Sequence, residues 1–144
     1  MTVVVDDALL LEILAGRGPD DLQGACDRGE AYTTSAWYWR LTRAVVRPSA
    51  GGALGRVLLA LPADVQAEVL AAVEDLPRSI GLPSPRRLVP VMAAIDIDRT
   101  LDFLTAEAVA IAISVDGALV VTTRSELLSR TCDRLGVELR VQGL

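Results

Sequence analysis

Hydrophobic positions follow two rhythms along this chain: short unbroken apolar runs, and longer stretches in which apolar residues recur at helical spacing. The first run, Thr2-Val3-Val4-Val5, ends abruptly at Asp6-Asp7. Three consecutive β-branched residues read as a strand buried on both faces, the kind that belongs to a parallel sheet. Residues 8–15 then have helical character and stop at Gly16 and the Arg17-Gly18-Pro19 turn. A second short helix is predicted over 22–28, capped by Asp20 or Asp21 and closed by Gly29, with a strand at 31–34. Ser35 is expected to cap a helix reaching about residue 46, with Trp37, Leu41, Ala44 and Val45 along one face.

Residues 48–52 read as a loop. Leu61-Pro62 opens a helix with the apolar stripe Val65, Val69, Val73 and Leu76. A short third strand is predicted at 78–82. Ser84-Pro85 starts another helix, with proline at the favoured first position and Pro90 expected to kink or divide it. Thr100 or Thr105 is the expected cap of the next helix, which runs to about residue 115.

Asp116-Gly117 is a turn, and 118–122 a second buried strand. Thr123-Arg124-Ser125-Glu126 has the spacing of a capping box and opens a helix ended by Gly136. Val137, Leu139 and Val141 alternate with Glu138 and Arg140, as an edge strand would. Strands alternating with helices predict an α/β fold: a three-layer α/β/α sandwich on a five-stranded parallel sheet, the first strand central. At 144 residues the chain is expected to be one domain, 1–144, large enough for a real core.

Composition narrows the chemistry. The chain contains no His, Lys or Asn. Histidine acid–base catalysis, Ser-His-Asp and Cys-His pairs, His-ligated zinc, a Walker lysine and Schiff-base chemistry are thereby excluded within it. All basic residues are Arg, which with the richness in Ala, Gly, Val and Leu points to a GC-rich bacterial genome. A net charge of −5 leaves no global basic footprint, so duplex DNA is not an expected partner, although a local patch could hold RNA. Cys26 and Cys132 have no metal-binding spacing and suit a reducing compartment. With no basic leader and no uncharged apolar stretch of bilayer length, a cytoplasmic protein without a membrane partner is expected. The 51% hydrophobic content hints at a self-association surface, with a twofold homodimer expected.

What remains for catalysis is Asp, Glu, Arg, Ser, Thr, Tyr or Cys, and carboxylates holding a hard cation are the most economical use of that set. Asp6-Asp7 stands at the C-terminal end of the first strand, where open α/β sheets place their ligand crevice. Either aspartate could instead cap the following helix. Glu107 has the alternative role of a first-turn acid favoured by its own helix dipole, and Glu126 that of a capping-box member. Asp7 and Glu12 are expected to face solvent or nearby arginines. Trp37, Tyr38 and Trp39 could stack RNA bases, though helical spacing favours core packing. Arg86-Arg87 reads as a solvated helix start.

The chain resembles PIN-domain proteins, many of which are VapC-type toxin ribonucleases. The resemblance lies in Val3-Val4-Val5-Asp6 with Ala8-Leu9-Leu10, in residues 33–41, in Leu104-Thr105-Ala106-Glu107-Ala108 and in Leu119-Val120-Val121-Thr122-Thr123. It implies the fold predicted above, and in active members three or four carboxylates at the strand ends that hold Mg²⁺ or Mn²⁺ for phosphodiester hydrolysis. Asp6 stands at the first acidic position. Arg40 occupies the neighbourhood of the second, Glu107 lies at or one residue before the third, with Ala108 the alternative, and Arg124 stands at the fourth.

Hard ions take oxygen ligands and activate water while neutralising phosphate charge. Two arginines in place of two acids therefore imply a degenerate site with no cofactor, in which Arg124 pairs with Asp6 and Arg40 with Asp6 or Glu107. On this reading the protein is a catalytically weakened or inactive nuclease relative that binds protein, such as an antitoxin-like partner, or RNA. Arg124→Asp with Arg40→Glu is then expected to restore some Mg²⁺ binding. The alternative is an active Mg²⁺- or Mn²⁺-dependent endoribonuclease, the toxin of a toxin–antitoxin pair, with Asp6 and Glu107 as catalytic and metal-holding residues and Glu126 as a further candidate ligand. A ligand-binding α/β domain outside this family is the third reading.

Overall fold

The computed structural model of the chain describes residues 1–96 and 101–144. Its sheet has five strands: β1 (Val3–Val5), β2 (Ala31–Tyr32), β3 (Ile80–Gly81), β4 (Ala118–Val121) and β5 (Leu139–Val141). Their order is β3-β2-β1-β4-β5, and every pairing is parallel. β1 is central, with Val3 opposite both Ala31 and Ala118, and Val5 opposite Val120. All three valines of β1 and all four residues of β4 are buried, as unbroken apolar runs require of strands covered on both faces.

Side-chain alternation splits the core in two. Val3, Val5 and Val120 face one cluster with α1 (Asp7–Leu14), α2 (Asp20–Asp27), α3 (Ser35–Val46), α4 (Gly52–Leu59) and α5 (Ala63–Glu74). Val4, Leu119 and Val121 face the other with α6 (Pro85–Ile95), α7 (Phe103–Val115) and α8 (Glu126–Leu135). The result is the predicted helix–sheet–helix sandwich.

The predicted stripe on α3 is the buried one, Trp37, Leu41, Ala44 and Val45. On α5, Val69 and Val73 are buried and Val65 packs at the cluster's margin, as does Leu76, which lies just past the end of the helix at Glu74. Several boundaries differ from expectation. The cap of α3 is Thr34, whose Oγ1 accepts from Trp37 N–H at 2.9 Å, and Ser35 is the first helical residue. Asp102, not Thr105, caps α7, accepting from Thr105 N–H at 2.7 Å; Thr100 lies outside the described residues. α6 runs through Pro90 undivided, and both Pro90 and Arg86 are exposed, so water can take the carbonyl the proline leaves free.

The predicted loop at 48–52 is a 3-10 turn over Pro48–Ala50 that leads into α4, a helix absent from the sequence reading. Gly51, Gly52 and Gly55 hide it, because glycine lowers helix propensity. Gly55 is nevertheless required: a Cβ there would lie 2.0 Å from the Pro48 carbonyl oxygen. No helix among the described residues is long and apolar enough to cross a membrane.

Candidate functional site

The order β3-β2-β1-β4-β5 reverses direction between β1 and β4, and an open parallel sheet has its crevice at the carboxyl ends of the strands flanking such a switch. Asp6 is the residue that leaves β1 at this point and is 6% exposed. It caps α1, with Oδ1 accepting from Leu9 N–H at 3.0 Å. Its Oδ2 accepts from Thr122 N–H at 2.6 Å and from Thr122 Oγ1–H at 2.8 Å. Beside it, Thr33 leaves β2 and donates its hydroxyl to the Val5 carbonyl at 3.0 Å. The strand ends are stitched together by threonines, and Asp6 is the acceptor at the centre.

Glu107 enters from α7 and is 1% exposed. It lies beyond the first turn of α7, so its own helix dipole is not what holds it. Its partner is the N-terminus of α3. Oε2 accepts from Ser35 N–H at 3.0 Å and Ser35 Oγ–H at 2.5 Å, and Oε1 accepts from Ala36 N–H at 3.0 Å. With Thr34 taking the Trp37 N–H, the first three amides of α3 are satisfied, and a carboxylate sits at the positive end of the helix. Ala108, the alternative third position, is fully buried in the core against the sheet.

Of the two surroundings expected for the second aspartate, solvent or a nearby arginine, the structure shows the arginine, Arg40. Asp7 is 7% exposed, with Oδ1 accepting from Ala8 N–H at 3.0 Å. Its Oδ2 is 3.2 Å from Arg40 Nε, yet no N–H points along that line and the oxygen has no hydrogen-bond partner. The attraction is therefore that of an ion pair without a directed bond. Burial pushes the Asp7 carboxyl above its ordinary range. Arg40 pulls it part of the way back, and the neighbouring Asp6 charge adds to the rise.

The two arginines part company here. Arg40 lies in the crevice, but pairs with Asp7 and not with Asp6 or Glu107. Arg124 is exposed and donates from Nε to Ser129 Oγ at 3.1 Å; it forms no ion pair with Asp6. The reason is a register error in the capping box. Ser125, not Thr123, caps α8, accepting from Leu128 N–H at 3.3 Å, so Arg124 precedes the helix and sits outside its first turn. Glu126 opens α8 on the surface and pairs with Arg130 one turn on, away from Asp6 and Glu107.

Of the aromatic triplet, Trp37 is buried in the core, and Tyr38 donates its hydroxyl to the Val73 carbonyl of α5. Trp39 is 61% exposed, with the Arg43 guanidinium 5.5 Å from its ring centroid. Between Trp39 and the exposed Phe103 of α7 lies a hollow of about 550 Å³, walled also by Ser35, Ala36, Arg40 and Leu104. The lock between Glu107 and the start of α3 fixes the two helices that form it. Phe103 and Arg43 went unread because neither lies in a chemical motif. Thr122 carried a usable signal, a Thr-Thr pair at the end of a strand that repeats the pair at 33–34.

Chemically, the crevice brings together Asp6, Asp7 and Arg40, with Glu107 turned to α3. Each oxygen of Asp6 and Glu107 already has a donor from the chain itself. Among the described residues, no group of three or more His, Cys, Asp or Glu side chains is arranged to hold a metal ion. Asp6 Oδ1 and Glu107 Oε1 accept one hydrogen bond apiece, which leaves a single lone pair on each of two carboxylates otherwise committed to the fold. Compared with known proteins, the chain matches no family model and no curated protein.

Proposed function

We propose that this chain is a PIN-like domain whose acidic crevice serves structure, and that it acts by binding RNA or protein without metal-dependent cleavage. The observation that carries this reading is the engagement of the two candidate metal-holding residues. Asp6 closes the switch point and Glu107 caps α3, so three of the roughly four lone-pair sites on each carboxylate are already taken by donors of the chain. The central position of β1 and the acids beyond its end support the PIN-like assignment. Arg40 beside Asp7 supports a cation contributed by the chain in place of a metal.

The binding face on this reading is the mouth of the crevice. Trp39 and Phe103 offer exposed aromatic surface, while Arg40 and Arg43 offer charge. That combination stacks on bases and also anchors protein interfaces. The 51% hydrophobic content of the chain supports self-association as a homodimer, and the two free, buried cysteines support a reducing, cytoplasmic setting.

Two measurements test the proposal: thermal melting with Mg²⁺ or Mn²⁺ added, and incubation of single-stranded RNA with the protein and either metal. A cation that binds only the native state raises the melting temperature. The expected result is no rise and no cleavage, with labelled RNA or an antitoxin-like protein retained and released by Trp39→Ala. A metal-dependent rise accompanied by cleavage establishes the alternative, an active ribonuclease.

A further inference from the structure

A second hollow lies at the other end of α7, on the sheet face that α6 and α7 cover. It has a volume of about 690 Å³, within the range of small-molecule sites. Ser114, which lines it, is seven residues along α7 from Glu107, or roughly 10 Å at the helical rise, so the site is separate from the crevice. The edge strand β3 is only two residues long. At Gly81 a Cβ would meet the Tyr32 ring at 2.3 Å, so glycine lets that ring lie against the edge strand and form one wall. Leu88 is buried behind it, and Val91 and Val115 complete an apolar lining.

The polar groups of this hollow are few and largely unused. Arg87 is exposed, and its side chain makes no ion pair or hydrogen bond with a described residue; the Tyr32 hydroxyl likewise has no partner. Ser114 donates to the Ala110 carbonyl at 2.7 Å, which leaves its lone pairs to accept. Among the described residues, no carboxylate lines the hollow. Arg87 stands in the first turn of α6, where the helix dipole disfavours a cation. The amides there are already taken, Arg86 N–H by Ser84 Oγ at 3.2 Å and Arg87 N–H by Ser84 O at 2.9 Å. An anion arriving here would therefore be met by the guanidinium and not by free backbone.

We infer that this hollow binds a small organic carboxylate with a compact apolar or aromatic body. The carboxylate takes the fork of Arg87, a geometry guanidinium matches with paired hydrogen bonds. The body lies over Leu88, Val91 and Val115 against the Tyr32 ring. The apolar lining selects against a bare inorganic anion, and the lone positive charge selects against amines and neutral ligands. The inference does not depend on the reading of the crevice.

The probes are benzoate, phenylacetate and 3-methylbutanoate, each titrated into the protein while backbone amide resonances are followed by NMR. At least one is expected to give saturable shifts at Gly81, Leu88 and Val115. Arg87→Met should weaken that binding by at least about tenfold, because a charge-assisted pair is lost, without lowering the melting temperature, since Arg87 supports nothing else and the helix dipole disfavours its charge. Failure of all three carboxylates to saturate overturns the inference. So does equal binding by benzamide, which would remove the role of charge, by inorganic phosphate, which would remove the role of the apolar lining, or by the Arg87→Met variant.

Discussion

Asp6 and Thr122 are joined by two hydrogen bonds, 2.6 and 2.8 Å, across a sequence separation of 116 residues. They lie at the ends of the two adjacent strands where the sheet's winding reverses. A carboxylate in the place where an α/β sheet offers its ligand site is thus bound to the fold's own backbone. The third bond to the same side chain caps α1, so one residue closes the switch and starts the first helix.

Substituting Asp6 separates the structural from the metal-binding role. Asp6→Asn keeps an oxygen for one donor but sets an NH₂ against the other, and one of Leu9 N–H or Thr122 N–H loses its acceptor. An orphaned buried donor and a weakened cap together should lower stability by about 2–3 kcal/mol. An acidic cluster held apart only by a missing cation would respond in the opposite sense, gaining stability from the lost charge. Urea denaturation of the two proteins without metal reads the sign directly.

The Glu107 lock predicts strong coupling between α7 and α3. Ser35→Ala removes one hydroxyl donor and should cost about 1 kcal/mol. Glu107→Gln leaves an amide facing the α3 amides and should cost about 2–3 kcal/mol. Because the two residues share a bond, the double variant should fall short of the sum by at least about 0.5 kcal/mol. Additive losses in a double-mutant cycle would show that Glu107 acts elsewhere.

Asp7 gives the pH dependence. Its folded-state carboxyl titrates above the unfolded value, from burial first and the Asp6 charge in addition, with Arg40 opposing both. The unfolded chain therefore releases this proton first as pH rises. The contribution of Asp7 to stability is full below the unfolded carboxyl range and is lost as pH passes through the raised folded value. Asp7→Asn should match the parent at low pH and exceed it at neutral pH. Arg40→Met should carry the loss to higher pH, because the opposing cation is gone. Urea stability of the three proteins measured across the acid range checks both shifts, and an Asp7→Asn variant less stable than the parent at neutral pH would contradict them.

The parts of this fold that could be read from the sequence are those set by local pattern. The valines of β1 and the Trp37, Leu41, Ala44, Val45 stripe follow from burial, which acts at every second or every third to fourth position. α4 escaped because three glycines weaken its intrinsic preference, while the contact that holds it, Gly55 against Pro48, is a close approach that composition does not reveal. At the site, Asp6 was legible from its place at a strand end. Its partner Thr122 was marked only by the Thr-Thr pair at a strand end, and the bond between them, across 116 residues, leaves no trace in either local pattern. Glu107 was legible as an acid near the crevice, but its use depends on the start of a helix 71 residues away in sequence. Arg124 was misplaced by reading the cap two residues early, a choice between Thr123 and Ser125 that residue type alone leaves open.

That correction changes what a charge reversal should do. Of the two arginines expected in the crevice, only Arg40 reaches it, where its Nε lies 3.2 Å from Asp7 Oδ2. Arg40→Glu would set a third carboxylate beside Asp7 and Asp6 and remove the cation that offsets them, so the variant should melt several degrees lower, at about 2–4 °C per kcal/mol for a chain of this size. Mg²⁺ or Mn²⁺ should recover part of that loss, since a cation at a hundredfold excess over its dissociation constant stabilises by about 2.7 kcal/mol. Arg124→Asp breaks only the part-buried hydrogen bond to Ser129, and should lower stability by about 1 kcal/mol with no metal response. Melting curves of both single variants, with and without metal, decide the matter. A metal response in Arg124→Asp equal to that in Arg40→Glu would return Arg124 to the crevice and undo the geometry on which this prediction rests.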